Sequence, residues 1–289
     1  MKFIFLSDTH FGGKNLSGYQ LQPRYVENGE QLFAALARLA AKENIDFIIH
    51  GGDLTENSTA DEITYASKLA ARHLPIPMYL TLGNHDVMTS NCDELWLKYG
   101  KRFFPQNTLD TTLYFENIRI DILSLYLGRE KRHWEREKGQ FPHLADEHWT
   151  RLRSGTQNLP RIIVLHYHAR PAMPQDTGLE KPIIIPENNF SAAADEIIDE
   201  FKPVMLLGGH CHLNLFDMLG NTAAFTASAF CEAPFECKII ELANDKFIVK
   251  TVPLGNDAGF DYLYYSEKAY IQNRPEKRNF EINFERIKI

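Results

Sequence analysis

The sequence predicts an α/β fold, on the basis of two observations. Short runs of apolar residues recur along the chain, and a glycine or a polar turn follows each run. Between several of these runs, apolar residues recur at intervals of three and four, as on one face of a helix. Strands that alternate with helices are typical of an α/β fold. With 289 residues, 44% of them hydrophobic, the chain is long enough for one sizeable core.

Nine short apolar segments are predicted strands. Five of them end in chemically distinctive residues: 3–6, 47–49, 78–82, 162–165 and 204–207. Further strands are expected around residues 113–115, 118–125, 222–228 and 238–242. Each segment is bounded by polar or turn-forming residues, which is the pattern of a strand buried in a sheet.

Four segments between these strands are predicted helices. Leu32, Leu36 and Leu39 form an apolar stripe over residues 28–42. Ile63 and Ala66 begin a similar stripe over residues 60–73. Residues 145–153 and 192–201 have a helical pattern as well.

Two segments depart from this alternation. Residues 128–140 are densely charged and are predicted to form an exposed loop or helical insertion. From about residue 256 the chain is rich in aromatic residues, and near its end Phe280, Ile282 and Phe284 alternate as in a strand. We therefore divide the chain into a main domain, residues 1–255, and a C-terminal extension, residues 256–289. A hairpin, a cap over the functional site and a contact in a homodimer are all open roles for the extension.

The composition argues against two kinds of partner. The formal net charge is −7, whereas proteins that bind nucleic-acid polymers use clustered Lys and Arg to neutralise phosphates. No apolar stretch approaches the roughly 20 residues of a membrane span, and the first apolar run is too short for a signal peptide. The four cysteines lack C-x-x-C spacing, which favours free thiols in a reducing compartment. We therefore expect a cytoplasmic protein with neither a membrane nor a stable nucleic-acid partner.

Residues suited to metal binding follow each of the five distinctive strands. The motifs are Ser7-Asp8-Thr9-His10, His50-Gly51-Gly52-Asp53, Gly83-Asn84-His85-Asp86, His166-Tyr167-His168 and Gly208-Gly209-His210-Cys211-His212. Because ligands bind at the carboxyl ends of strands in α/β sheets, these five ends are expected to converge on one crevice. Residues i and i+2 of extended backbone share a side, so Asp8 and His10 can present two donors to one place. His210 and His212 can do the same.

The donor types indicate which metals the crevice would hold. Imidazole, carboxylate and amide groups form a mixed nitrogen and oxygen set that suits Mn, Fe, Zn or Ni better than Ca. The glycines before Asp53, Asn84 and His210 allow the backbone to turn sharply beside an ion.

The motifs, taken in order, resemble those of a known family. Asp8-x-His10, Gly52-Asp53, Gly83-Asn84-His85-Asp86, His166 and Gly209-His210-x-His212 are similar to the full motif set of the calcineurin-like metallophosphoesterases. The resemblance covers roughly residues 1–245, and five motifs in order are far more specific than any one alone. It implies the family's fold, a β-sandwich of two mixed sheets flanked by helices, and makes residues 1–255 a catalytic domain.

The resemblance also implies a role for each motif residue. Asp8, His10 and His212 would hold one divalent ion, Asn84, His166 and His210 would hold the other, and Asp53 would bridge both. A hydroxide shared by the two ions would attack phosphorus. His85 would act as a general acid near the leaving oxygen, oriented by Asp86.

Residues around the motifs have less specific interpretations. For His168, contact with substrate phosphate or with a metal ligand is open beside a packing role. His50 is expected to pack or hydrogen bond next to the ligands, Cys211 to be a small buried apolar residue, and Arg170 to be a candidate phosphate contact. The other predictions place His73, His133, His143 and His148 at the surface or an interface, with Trp134 and Trp149 as packing anchors.

Within the family, the motif set resembles the bacterial class III cyclic-nucleotide phosphodiesterases. The resemblance implies hydrolysis of a small phosphodiester, with a cyclic nucleotide as one example. A phosphomonoesterase or protein phosphatase is the second hypothesis, and a scaffold without catalysis is the third. The purple acid phosphatase branch is disfavoured because the position of its tyrosine ligand, three residues after Asp53, is occupied by Glu56. The acidic net charge disfavours a DNA-end nuclease.

Overall fold

A computed structural model describes residues 1–15, 21–115, 117–135, 141–155 and 158–284. Residues 136–140 of the predicted charged insertion and residues 285–289 of the C-terminal extension lie outside the described residues. Within the described ranges, the strands are β1 (Lys2–Leu6), β2 (Phe47–His50), β3 (Met78–Leu80), β4 (Thr111–Phe115), β5 (Ile118–Ile122), β6 (Arg161–Val164), β7 (Met205–Gly208), β8 (Phe216–Leu219), β9 (Thr222–Thr226), β10 (Glu236–Ala243), β11 (Lys246–Pro253) and β12 (Phe280–Asn283). The α-helices are α1 (Gly29–Glu43), α2 (Ala60–His73), α3 (Cys92–Tyr99), α4 (Asp146–Arg153), α5 (Pro174–Thr177), α6 (Asn188–Phe201) and α7 (Pro275–Arg278).

The strands form two sheets, in the orders β12-β11-β10-β1-β2-β3 and β4-β5-β6-β7-β9-β8. In the first sheet β1, β2 and β3 are parallel, with Ile4 opposite Ile48 and Ile48 opposite Met78, while β10, β11 and β12 pair antiparallel. In the second sheet β5, β6, β7 and β9 are parallel, and β4 and β8 are antiparallel edge strands. Both sheets are therefore mixed, which confirms the predicted architecture.

The alternation of side chains along β1 explains how two apolar layers form. Phe3 and Phe5 point between the two sheets, where they join a cluster of buried residues from both. Ile4 and Leu6 point to the opposite side, where they pack in the cluster that contains Leu36 of α1. Because successive residues of a strand face opposite sides, one buried strand supplies both layers. The sheets thus pack against each other and against the helices.

The structure has a strand at each of the nine predicted positions and a helix at each of the four. The alternating residues Phe280 and Ile282 lie in β12, as predicted. Among the described residues, five elements were missed: β8, β11, α3, α5 and α7. The four cysteines are free and buried, as expected for thiols outside a disulfide framework. Among the described residues, no helix combines the length and the apolar character that crossing a membrane requires.

The C-terminal extension packs against the rest of the chain. β12 pairs with β11, with Ile282 opposite Phe247, and becomes the edge strand of the first sheet. The ring of Tyr262 lies 5.1 Å from that of Phe235, and the Gln22 side chain donates a hydrogen bond to the Tyr265 carbonyl at 2.9 Å. The domain boundary at residue 255 and the dimer contact stay predictions.

Candidate metal centre

The predicted ligands lie together beyond the carboxyl ends of β1, β2 and β3 of the first sheet and β6 and β7 of the second. Asp8, His10 and His212 place one donor atom each within 4.8 Å of one another. Asp53, His166 and His210 form a second such group, and a third joins His10, Asp53 and His85. Distant parts of the sequence therefore converge on one site.

Five of these residues have a left-handed backbone. The angle φ is +59° at Asp8, +54° at His10, +54° at Asp53, +68° at His210 and +56° at His212. This conformation is uncommon for residues other than glycine, and where it occurs it concentrates at functional sites. It also corrects the sequence analysis: both i and i+2 pairs have left-handed backbone where extended backbone was assumed. Asp8 and His10 share one donor group, whereas His210 and His212 belong to different groups.

Backbone hydrogen bonds connect the first two loops. The Asp53 carbonyl accepts from the N–H groups of Thr9 and His10, both at 2.9 Å. Gly52 has a φ of +98°, and a Cβ atom there would collide with the imidazole of His166. A Cβ atom at Gly83 would collide with the Asp53 carboxylate. Glycine at these two positions therefore lets the loops after β2 and β3 approach the candidate ligands closely.

In the first group, three donor atoms face one another across short distances. His10 Nε2 lies 3.2 Å from His212 Nε2. Asp8 Oδ1 lies 3.5 Å from His212 Nε2 and 3.9 Å from His10 Nε2.

Asp53 lies between the two groups. Its Oδ2 is 3.9 Å from His10 Nε2 and 3.3 Å from His166 Nε2, while its Oδ1 accepts the backbone N–H of His85 at 2.8 Å. One carboxylate oxygen is thus fixed by a hydrogen bond, and the other is directed at both sets of imidazoles.

Hydrogen bonds on the outer side of three imidazoles orient their inner nitrogens. The Nδ1 atoms of His10, His166 and His212 donate to the Glu56 carboxylate (2.9 Å), the Gly51 carbonyl (2.7 Å) and the Glu232 carboxylate (2.8 Å) respectively. We assign the Nδ1–H tautomer from these acceptors, which leaves the Nε2 lone pairs directed inward. Metal-ligating histidines are held in this way.

The arrangement of the inward atoms fits a metal. Neutral His10 and His212 would direct two lone pairs at each other across 3.2 Å, an arrangement that a cation between them stabilises. Asn84 Oδ1 and His166 Nε2 are buried without a hydrogen-bond partner among the described residues. Since buried polar atoms are nearly always paired, the Asn84 oxygen indicates an absent partner with positive charge, and a neutral His166 would offer Nε2 to the same partner.

The pKa values show how the buried charges interact. Burial lowers the pKa of His10 and of His210 well below the usual range, so both rings are neutral near pH 7. Burial also disfavours protonated His166, but the Asp53 and Asp8 carboxylates outweigh it and raise the pKa to about 9. Burial raises the pKa of Asp53, but the nearby His166 and His85 outweigh it and hold that pKa well below the usual range. The carboxylates therefore require positive charge close by, which a metal ion can supply.

His85 lies at the opening of this site. Its Nδ1 donates to the Glu56 carbonyl at 2.9 Å, and its ring centroid lies 4.8 Å from that of His10. The side chain is 26% exposed, whereas that of His10 is 1% exposed. Asp86 does not orient it as predicted, because its carboxylate accepts from Leu54 N, Thr55 N and Gly83 N at 2.8 to 3.2 Å. Asp86 instead joins the loop after β2 to the loop after β3.

The structure shows what three of the residues around the motifs contact. His50 hydrogen bonds to the Thr9 hydroxyl at 2.8 Å and accepts from Gly52 N, so it connects two ligand loops. Cys211 packs in an apolar cluster, as expected. Arg170 pairs with Asp195, so its predicted phosphate contact is not supported.

Two other histidines, His148 and His168, are buried. His148 is fully buried and accepts from Ala145 N at the start of α4, so its predicted surface position is wrong. His168 Nε2 donates to the Ile184 carbonyl at 2.7 Å, and burial lowers the pKa of its imidazole to about 4.

Sequence analysis missed the residues that support the ligands from behind. Glu232 accepts from His212 and from Arg24, and Glu56 accepts from His10. Arg24 is 5% exposed and lies 4.0 Å from Glu56, so it connects the two carboxylates. None of these residues belongs to a ligand motif, and a lone Glu or Arg in a loop gives no signal from spacing.

Comparison with known proteins agrees with this fold and site. The family model of the calcineurin-like phosphoesterases matches residues 1–214, and the chain belongs to that family. As a member, it is a metal-dependent phosphoester hydrolase.

Two relatives are similar in sequence. A probable cyclic nucleotide phosphodiesterase of Rhodopseudomonas palustris is 28% identical over 218 residues, which is 73% of this chain and 72% of that protein. The DNA double-strand break repair protein Mre11 of Methanococcus maripaludis is 23% identical over 228 residues, and the match covers 73% of this chain and 52% of that protein.

Solved structures share the fold. A dimetal phosphatase from Danio rerio superposes with a TM-score of 0.66 at 12% identity, covering 98% of this chain and 99% of that one. A protein of Thermus thermophilus, TT1561, superposes with a TM-score of 0.56 at 12% identity, covering 88% of this chain and 98% of that one. At these identities the likeness concerns the fold alone.

Proposed function

We propose that this protein is a binuclear metal-dependent phosphodiesterase that hydrolyses small diesters, cyclic nucleotides among them. The observation that carries the proposal is the position of Asp53 Oδ2, which lies 3.3 Å from His166 Nε2 and 3.9 Å from His10 Nε2. This oxygen is placed between two groups of donors, as the bridging ligand of a pair of ions must be.

Each ion has its own donors in this proposal. Asp8, His10 and His212 would hold one, Asn84, His166 and His210 would hold the other, and Asp53 would contribute to both. The unpaired Asn84 Oδ1 and His166 Nε2 support the second set. Two divalent ions held by these residues would supply a nucleophile from water near neutral pH and neutralise charge on the phosphoryl oxygens. The mixed nitrogen and oxygen donors suit Mn, Fe, Zn or Ni.

His85 is the proposed general acid. Because its Nδ1–H donates to the Glu56 carbonyl, the neutral ring has its lone pair on Nε2. The doubly protonated ring can therefore give a proton from Nε2 to the leaving oxygen, while Nδ1 stays bound to Glu56. Its partial exposure at the opening of the site gives access to substrate without disturbing the buried ligands.

A diester substrate is supported by the relative from Rhodopseudomonas palustris, which is a probable cyclic nucleotide phosphodiesterase. The net charge of −7 supports a small substrate, because a nucleic-acid polymer is bound through many cationic contacts.

The proposal can be tested with manganese-supplemented protein and four substrates: bis(4-nitrophenyl) phosphate, 4-nitrophenyl phosphate, cyclic AMP and linear duplex DNA. We expect a higher kcat/KM for the diester than for the monoester, hydrolysis of cyclic AMP, and no degradation of the DNA. A preference for the monoester would support the phosphomonoesterase or protein phosphatase hypothesis. Tight metal binding with no hydrolysis of any substrate would support a scaffold.

A further inference from the structure

A pocket of about 240 Å³ lies beside the candidate metal centre. Asn84 and His210, which belong to the second proposed ligand set, form part of its lining. The rest of the lining is mainly apolar and includes the aromatic rings of Trp134, Phe141 and Phe190. A group bound in this pocket is therefore adjacent to the place where phosphorus would lie.

The aromatic wall is fixed relative to the site. The backbone N–H of Trp134 donates to the Val87 carbonyl at 2.8 Å, directly after the loop that carries His85. The centroid of a Trp134 ring lies 6.2 Å from that of His85. Tyr167, which also lines the pocket, has its ring 4.6 Å from that of His210. The pocket walls thus contact both a proposed ligand and the proposed general acid.

Another part of the wall is formed by the segment that contains Ile184 and Ile185. The Ile184 carbonyl accepts a hydrogen bond from His168 Nε2 at 2.7 Å, and Ile184 has a φ of +51°. A β-branched residue rarely adopts this conformation, so the surrounding structure must hold it there. His168 is 4% exposed, lines the pocket, and has no hydrogen-bond partner for Nδ1 among the described residues.

We infer that this pocket binds a flat aromatic group of the phosphoester substrate, such as a nucleobase, and so makes aromatic esters the preferred substrate class. The inference rests on the proposed function. Rings of Trp, Phe and Tyr around a narrow space favour another ring, because aromatic groups gain from stacking and edge contacts. Pockets for drug-sized ligands begin at about 300 Å³, so this one suits a ring system better than a long chain.

The test compares two diesters with the same leaving group, phenyl 4-nitrophenyl phosphate and methyl 4-nitrophenyl phosphate. We expect manganese-loaded wild-type protein to prefer the phenyl ester about tenfold in kcat/KM, as stacking of one ring allows. Trp134→Ala and Ile185→Ser should each lower this preference at least about threefold. Ile185 is 69% exposed, so its replacement does not threaten folding. Met218→Ser is the matched control, because Met218 is 51% exposed on the edge strand β8 and should leave the preference unchanged.

A binding measurement separates the pocket from the chemistry. By titration calorimetry, zinc-loaded protein should bind phenylphosphonate about tenfold more tightly than methylphosphonate or hexylphosphonate. If phenylphosphonate binds more tightly but neither diester is hydrolysed, the inference about the pocket holds and the proposed function is refuted. If both diesters are hydrolysed with equal kcat/KM, the inference about the pocket is refuted and the proposed function holds. Hexylphosphonate binding as tightly as phenylphosphonate, or an unchanged preference in both pocket variants, would also overturn the inference.

Discussion

Glu232 offers a direct test of whether residues behind the ligands set metal affinity. Its Oε1 accepts from His212 Nδ1 at 2.8 Å and from Arg24 Nε at 3.3 Å, and its Oε2 accepts from the backbone N–H of Gln22 at 3.1 Å. Glu232→Gln keeps the shape of the side chain but removes the charge that fixes the tautomer of His212. Loss of such a partner weakens metal binding by about 10-fold to 100-fold, or about 1.4 to 2.7 kcal/mol.

Glu236→Gln is the matched control. Both glutamates are buried and paired with an arginine, but the hydrogen bonds described for Glu236 go to Asn214, Ser228 and Arg278. Both variants should lower the melting temperature, because each weakens the pairing of an arginine with a buried carboxylate. Competition with a zinc chelator should detect weaker metal binding in Glu232→Gln alone. Equal metal affinity in the two variants would refute the reasoning.

Three further variants test other parts of the account. His85→Ala should retain both metals by elemental analysis yet lower kcat by about 10² to 10⁴, because a proton donor is lost; loss of metal would contradict this role. Asp53→Asn should bind fewer than two metals per chain, since the bridging charge is gone, and an unchanged metal content would contradict the bridge. Lys238→Met should stabilise the protein by about 1 to 3 kcal/mol at pH 7 in urea unfolding. Burial lowers the Lys238 pKa to about 8.

The pH dependence of the Lys238 variant has a defined sign. Lys238 lies between the sheets, 5.9 Å from the Phe225 ring, and hydrogen bonds to the Thr251 hydroxyl at 3.0 Å. Its pKa is about 8 in the folded state and 10.5 in the reference state, so folding disfavours the charged form. The loss of folding stability caused by the buried charge is complete below pH 8 and disappears as the pH rises towards 10.5. The stability gained by Lys238→Met should therefore shrink over the same pH range. A gain in stability that does not depend on pH would contradict burial of the charge as its cause.

The candidate ligands could be predicted because strand ends and donor types are local properties of the sequence. Asp8 and His10 directly follow an apolar run, and the topology brings such ends together at one edge. Their left-handed backbone could not be predicted, because it depends on hydrogen bonds to Gly52 and Asp53, which belong to a different loop.

The sequence analysis missed elements and residues for different reasons. In β11, alternate residues Phe247, Val249 and Thr251 are buried, so a period of two was present in the sequence and was overlooked. α3 buries only Cys92 and Trp96, which is too little apolar surface for a clear helical pattern. Glu56 and Glu232 act through contacts that distant loops create, so no local pattern identifies them.

Anomalous scattering from crystals of manganese-loaded protein tests the central claim most directly. Two peaks should appear per chain, one among Asp8, His10 and His212 and the other among Asn84, His166 and His210, with Asp53 contacting both. A single peak, or manganese bound away from these side chains, would contradict a binuclear centre and remove the basis for the proposed hydrolysis.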